Sequence, residues 1–158
     1  MDAVSRAAHV SRTTVYRRWP SKTALLVEVV EPLLDHYDEL VFEGDLHTDA
    51  FTLMGAIRNN IARPEGRAMF EAAASRSATL DETVRRFETR TIDALRRVVS
   101  SALEHGQLLA DDAADANLAV LLAFHGVVSW EQTHESIPSD DDLRQILRLV
   151  LAGFSKTT

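Results

Sequence analysis

The chain contains no cysteine, which excludes a disulfide framework and thiolate metal sites. Lysine is almost absent, at Lys22 and Lys156 alone, so arginine carries nearly all of the positive charge. No apolar run approaches the ~18 residues that a membrane span requires, and the start shows no signal-peptide pattern. The expectation is a globular, cytoplasmic chain with no membrane partner. Chemistry-bearing motifs are missing as well: there is no glycine-rich phosphate loop and no G-x-S-x-G. The six histidines (His9, His36, His47, His105, His125 and His134) show no H-x-x-x-H spacing. No metal, no cofactor and no catalytic residue is therefore expected. The run Asp140-Asp141-Asp142 reads as charge placed at a helix start rather than as a cation site.

What is present is an uneven distribution of charge. The 158 residues are 46% hydrophobic and 26% charged, enough for one core of moderate size with a small appendage. The net charge is −7, which taken alone argues against a nucleic-acid partner. From Met1 to Lys22, however, five basic residues (Arg6, Arg12, Arg17, Arg18, Lys22) stand against Asp2, a local charge of +4. The remainder holds 12 basic and 23 acidic residues, or −11. A basic tip on an acidic body suits a phosphate-binding head on a separate domain.

Within that tip the stretch SRTTVYRRWPSKTALL, Ser11 to Leu26, organises the rest. Ser11 is a good N-cap. Arg12 to Trp19 then place Val15 and Trp19 four apart on one helical face. The other faces carry Arg12, Thr13, Thr14, Tyr16, Arg17 and Arg18, all able to reach phosphate or base edges. Pro20 stops the helix, and Ser21 caps the next one with Lys22 in its first turn. A short basic helix is thus followed by a helix N-terminus able to hold a phosphate. Before it, Asp2 to Ala8 read as one short helix burying Val4, Ala7 and Ala8, with His9-Val10-Ser11 as the turn.

Taken together, MDAVSRAAHVSRTTVYRRWPSKTALL resembles the DNA-binding end of the TetR family of bacterial transcriptional regulators. The resemblance runs through Ala7 and Ala8, Val10 and Ser11, Thr14, Val15, Tyr16, Trp19 and Ser21-Lys22. His9 stands where the family usually has glycine, so a left-handed turn there would be strained. The resemblance also implies a preceding helix of a dozen or more residues, and this sequence begins inside the second helix of such a head.

From Ser21 onward helical periodicity dominates and no strand-like alternation is found. Ser21 to about Phe42 align Leu25, Leu26, Val29, Val30, Leu33, Leu34, Tyr37 and Val41, with an acidic opposite face and a kink expected at Pro32. Gly44 to His47 read as a loop. Asp49 to about Asn60 form the next helix, and Pro64 starts another that ends near Ser75. Ser77 or Thr79 caps a long helix to about Glu104, with arginines outward and His105-Gly106 as its stop. Ala113 to about His134 are apolar nearly all round, which predicts burial on more than one side. Ser139 caps a last helix whose stripe is Leu143, Ile146, Leu147, Val150, Leu151 and Phe154.

The reading is all-α: a helix-turn-helix head at 1–26 and a helical ligand-binding and dimerisation domain at 27–158. The resemblance implies DNA contacts from Ser11, Arg12, Thr13, Thr14, Tyr16, Arg17 and Lys22 on a palindromic double-stranded operator. It also implies an interior pocket for a small, largely apolar effector. Tyr37, Phe51, Met54, Ile57, Met69, Phe70, Phe87, Thr91, Leu95 and Phe124 are its candidate lining. The last two helices imply a homodimer, through Leu118, Leu122, His125, Ser129, Leu143, Ile146, Leu147 and Val150. Val10, Val15 and Trp19 are expected in the core of the head. The function implied is a repressor released from its operator by the effector. A rival reading is a helical dimeric module that binds a small molecule or a protein and no longer binds DNA.

Overall fold

In the computed structural model, residues 1–74, 81–134 and 136–154 are described, and among them every regular element is helical. The head holds two short helices, α1 (Asp2–Ala7) and α2 (Arg12–Arg18). They meet at His9, whose φ of +53° is the left-handed conformation that glycine adopts most easily. A side chain held there costs about 1 kcal/mol. The head buries less than its sequence suggests. Val4 and Val10 are 36% and 43% exposed, and Ala7 and Ala8 are exposed too. Ser5 is the buried residue of α1, and Val15, at 2% exposure, is that of α2.

α3 (Lys22–Glu39) starts where the Ser21 hydroxyl accepts from the Ala24 amide at 3.0 Å, and it continues unbroken through Pro32. It ends three residues before the expected Phe42. Arg97, from the body, donates to the carbonyls of Tyr37 (3.0 Å) and Leu40 (2.6 Å) and lies over the Phe42 ring. Those bonds satisfy carbonyls that a longer helix would otherwise have used. Beyond this point the chain is extended, which leaves Val41 80% exposed. Val29 is also outside the core, at 43%.

α4 (Leu46–Ile61) begins three residues earlier than the expected Asp49. Asp45 is its cap, accepting from the Thr48 amide at 2.8 Å. Asp49 is 2% exposed, and its carboxylate accepts the amides of Glu43 (2.9 Å) and Gly44 (2.8 Å), pinning the preceding loop. α5 (Pro64–Ala74) crosses close over the end of α4: a Cβ on Gly66 would lie 2.0 Å from the Asn60 carbonyl oxygen. α6 (Asp81–Glu104) stops at His105-Gly106, as the sequence suggests. The anticipated end at Ser75 and caps at Ser77 or Thr79 lie outside the described residues.

A 3-10 turn (Ala110–Asp112) leads into α7 (Ala113–His134). α8 (Asp140–Val150) opens on a capping box, in which the Ser139 and Asp142 side chains each bond the other's backbone amide. A second 3-10 turn, Ala152–Phe154, follows α8.

α4 is the hub of the body and packs against α3, α5, α6, α7 and α8. Its Ala50, Leu53, Met54 and Ile57 have no exposed surface. α7 presents small residues inward (Ala116, Ala119, Val120, Ala123, Val127), so its backbone can lie close to its neighbours. Its other side is not buried within the chain: Leu118, Leu121 and Leu122 are 54%, 36% and 52% exposed. The helix is therefore two-faced in space although its sequence is apolar nearly all round. The stretch Ala110–His134 is long and apolar enough to cross a membrane by length and composition alone, although Asp115, His125 and Glu131 interrupt it. In the fold its inner face is part of the bundle core.

The acidic stripe of α3 and the arginines of α6 form a seam. Arg86 pairs with Glu31 at 3.1 Å, and Arg90 reaches Glu31 (3.2 Å), Asp35 (3.3 Å) and Asp38. These arginines, read from sequence as an outer face, instead tie two helices together. The pairs are partly exposed, so each adds ~0–1 kcal/mol, and their value is mainly in fixing the register of α3 on α6.

Candidate nucleic-acid interface

The basic segment is built by two caps and one latch. The Ser11 hydroxyl accepts from the Thr14 amide at 3.1 Å and lies 2.8 Å from the Thr14 hydroxyl. This starts α2 with an exposed face made of Arg12, Thr13, Tyr16 and Arg17. All of these are exposed, Tyr16 by 43%. Immediately after α2, Ser21 caps α3, and Lys22 is exposed in its first turn. The chain thus brings a row of donors on α2 beside the positive end of α3.

The latch lies on the reverse side. Trp19 caps the C-terminus of α2, and its indole Nε1 donates to Glu28 Oε2 at 2.7 Å. Arg18 donates to the other oxygen, Oε1, at 2.7 Å, and its guanidinium also lies over the Trp19 ring. The bonds from Arg18 and Trp19 hold the Glu28 carboxyl below the usual carboxylate range. Trp19 is half-buried rather than a core residue. Sequence reasoning missed Glu28: the partners are nine and ten residues apart across a break between helices, and no helical period connects them.

Two candidates are engaged within the head. Arg12 Nε pairs with Asp2 Oδ1 at 2.9 Å, and Thr14 shares its hydroxyl with Ser11. Among the described residues Arg6, Arg17 and Lys22 make no ion pair.

The interior candidates are divided by the fold. Tyr37, Met54, Ile57, Met69, Phe87, Thr91 and Leu95 are all 5% exposed or less, and join one core. Phe70 stands edge-on to Phe87, with centroids 4.8 Å apart, and 6.2 Å from Phe124. Phe51 is set apart: it turns toward α8 beneath Arg144 and lines a surface cleft with His47, Thr48 and Leu147. Burial pushes the Tyr37 phenol up to about 12, with Asn60 opposing. Its hydroxyl nonetheless has no well-aligned partner, since the Asn60 amide is turned to the Leu33 carbonyl.

The candidate dimer residues also separate. Leu118, Leu122, His125 and Ser129 lie along the exposed side of α7, with Ile146 and Val150 half-buried on α8. Leu143 and Leu147 do not belong with them. They are 0% and 3% exposed within the single chain, because the α8 stripe turns them onto α4 and α7. On α7, Glu131 pairs with Arg67 at 3.0 Å and His134 stacks on Trp130. No group of three metal-ligating side chains is found among the described residues.

Residues 1–29, which span α1, α2, the latch and the start of α3, match the family described as bacterial regulatory proteins, tetR family. This head is similar to the DNA-binding end of that family. It is 39% identical over 59 residues to the DNA-binding transcriptional repressor TetR of Mycobacteroides abscessus. That similarity covers 37% of this chain, and the chain spans about a third (31%) of the relative's length. No solved structure matches the chain. The family-model match is confined to the head, where the caps and the exposed basic helix are.

Proposed function

We propose that the chain is a DNA-binding transcriptional regulator that acts as a homodimer and represses from a palindromic operator. The observation that carries this is α2 itself: an exposed, capped, basic helix set beside the amino end of α3. In this reading α2 enters the major groove, with Thr13, Thr14, Arg12 and Arg17 toward base edges. Arg12 leaves Asp2 to do so, an exchange that costs little for an exposed pair. Ser11, Tyr16 and Lys22 hold phosphates, Lys22 together with the first amides of α3. The exposed leucines of α7 and the adjoining part of α8 form the two-fold interface, and the two heads then address half-sites ~34 Å apart. An apolar effector accommodated among the interior residues shifts the body to a form that spreads the heads. It weakens operator binding by its differential affinity for the two forms and no more.

The test is fluorescence anisotropy of the chain on DNA flanking its own gene, at low and moderate salt. Saturable, salt-sensitive binding that exceeds binding to scrambled DNA is expected. Equal binding to both, or none with the helical fold intact, overturns the reading.

A further inference from the structure

We propose that the cleft between the head-proximal half of α3 and the beginning of α6 binds an organic cation carrying two amino groups. The cleft has a volume of about 670 Å³, and none of the interior candidate residues lines it. Ala24, Val27 and Pro32 give it an apolar side. Glu28, Glu31 and Asp35 on α3 and Glu82 on α6 give it four carboxylates, against Arg86 alone among its lining cations. Arg18 approaches from the head and Arg90 from the body, where Arg90 also meets Asp38. With these included, five carboxylates still face three guanidiniums, so the site remains negative.

A second feature points to an occupant. Thr83 lines the same cleft and is 3% exposed, and its hydroxyl has no hydrogen-bond partner. A buried hydroxyl left in this condition is costly. An ammonium group entering beside it supplies a donor. A diamine matches the rest of the lining: its two charges meet the carboxylates of α3 and Glu82, and its methylenes lie on Val27 and Pro32. The arginine pairs it disturbs are partly exposed and individually weak. Because Glu28 also holds Arg18 and Trp19, occupancy at its carboxylate acts on the latch behind α2.

The experiment is a calorimetric titration of the chain with 1,4-diaminobutane at constant ionic strength, with butylamine as the single-amine comparison. A parallel titration in a Trp130→Phe background follows the emission of Trp19. One-to-one saturable binding of the diamine is expected, with a change in Trp19 emission and at least about tenfold weaker binding of butylamine. Glu82→Gln and Thr83→Val, with unchanged helical circular dichroism, should each weaken the diamine several-fold. Absence of saturable heat, equal affinity for butylamine, or unaltered affinity in both variants overturns the proposal. The titration contains no DNA, so its failure is distinct from a failure of the operator reading.

Discussion

The indole of Trp19 and the carboxylate of Glu28 join the end of α2 to the second turn of α3 through one 2.7 Å hydrogen bond. With Arg18 on the other carboxylate oxygen, α2 is held at its C-terminus as well as by Ser11 at its start. The sign of its pH dependence follows. Glu28 has a folded pKa below its unfolded value, so the latch contributes above the usual Glu range and is lost as pH falls through the lowered value. In Trp130→Phe protein, Trp19 emission should therefore titrate below the usual Glu range. Glu28→Gln should abolish that titration and weaken operator binding while leaving the body folded. A Trp19 signal that titrates identically in Glu28→Gln would show that another group governs it.

Phosphate and base roles separate by substitution on DNA. Lys22→Ala should weaken binding to all sequences alike and reduce the slope of log affinity against log salt by about one. Thr14→Ala should change sequence preference, and it also removes the hydroxyl that Ser11 engages. Anisotropy on a set of single-base operator variants reads both effects. A change of preference in Lys22→Ala, and none in Thr14→Ala, would reverse the assignment.

Gly66 of α5 lies against the end of α4, with no room for a Cβ beside the Asn60 carbonyl. Gly66→Ala forces its Cβ against the Asn60 carbonyl and should destabilise the body by about 1–3 kcal/mol, measured by urea unfolding. Gly55, where an added Cβ meets nothing within 4 Å, is the comparison site. Gly55→Ala, inside α4, should be neutral or stabilising by up to about 1 kcal/mol. Equal effects at the two positions would refute the steric explanation.

Arg97 donates at the end of α3 to the carbonyls of Tyr37 and of Leu40, the residue that caps the helix. Arg97→Ala should cost about 1–3 kcal/mol in the same unfolding assay, and Arg97→Lys should recover only part of it. Lysine can reach one carbonyl as a point charge but lacks the planar fork that spans both.

The exposed leucines of α7 supply a test of assembly. Leu122→Glu places a charge on the proposed two-fold face without touching the chain's own core, since Leu122 is 52% exposed. Sedimentation should report a dimer for the unaltered chain and a monomer for the variant, with operator affinity falling steeply. An unaltered dimer would move the interface elsewhere.

Local order in this protein is written locally. The caps at Ser11, Ser21 and Ser139, the stop at Gly106 and the all-helical class follow from residue types and from a period of 3.6, and each could be read before any coordinates. The basic head could be read the same way, because its charge and its capped helix lie within one short stretch. Boundaries set by distant groups could not. α3 ends at Glu39 because Arg97 arrives from another helix, and α4 starts at Leu46 because Asp49 is occupied by the loop amides. Periodicity names an apolar stripe but not what covers it. Val4, Val10 and Val41 therefore proved exposed, and Leu143 and Leu147 turned inward. What the sequence determined alone was the helical class, the capping and the polarity of charge between head and body, since these depend on neighbours within a few residues. The tertiary structure decided the Glu28 latch, the α3–α6 seam and the two faces of α7, because each is a meeting of groups from different helices.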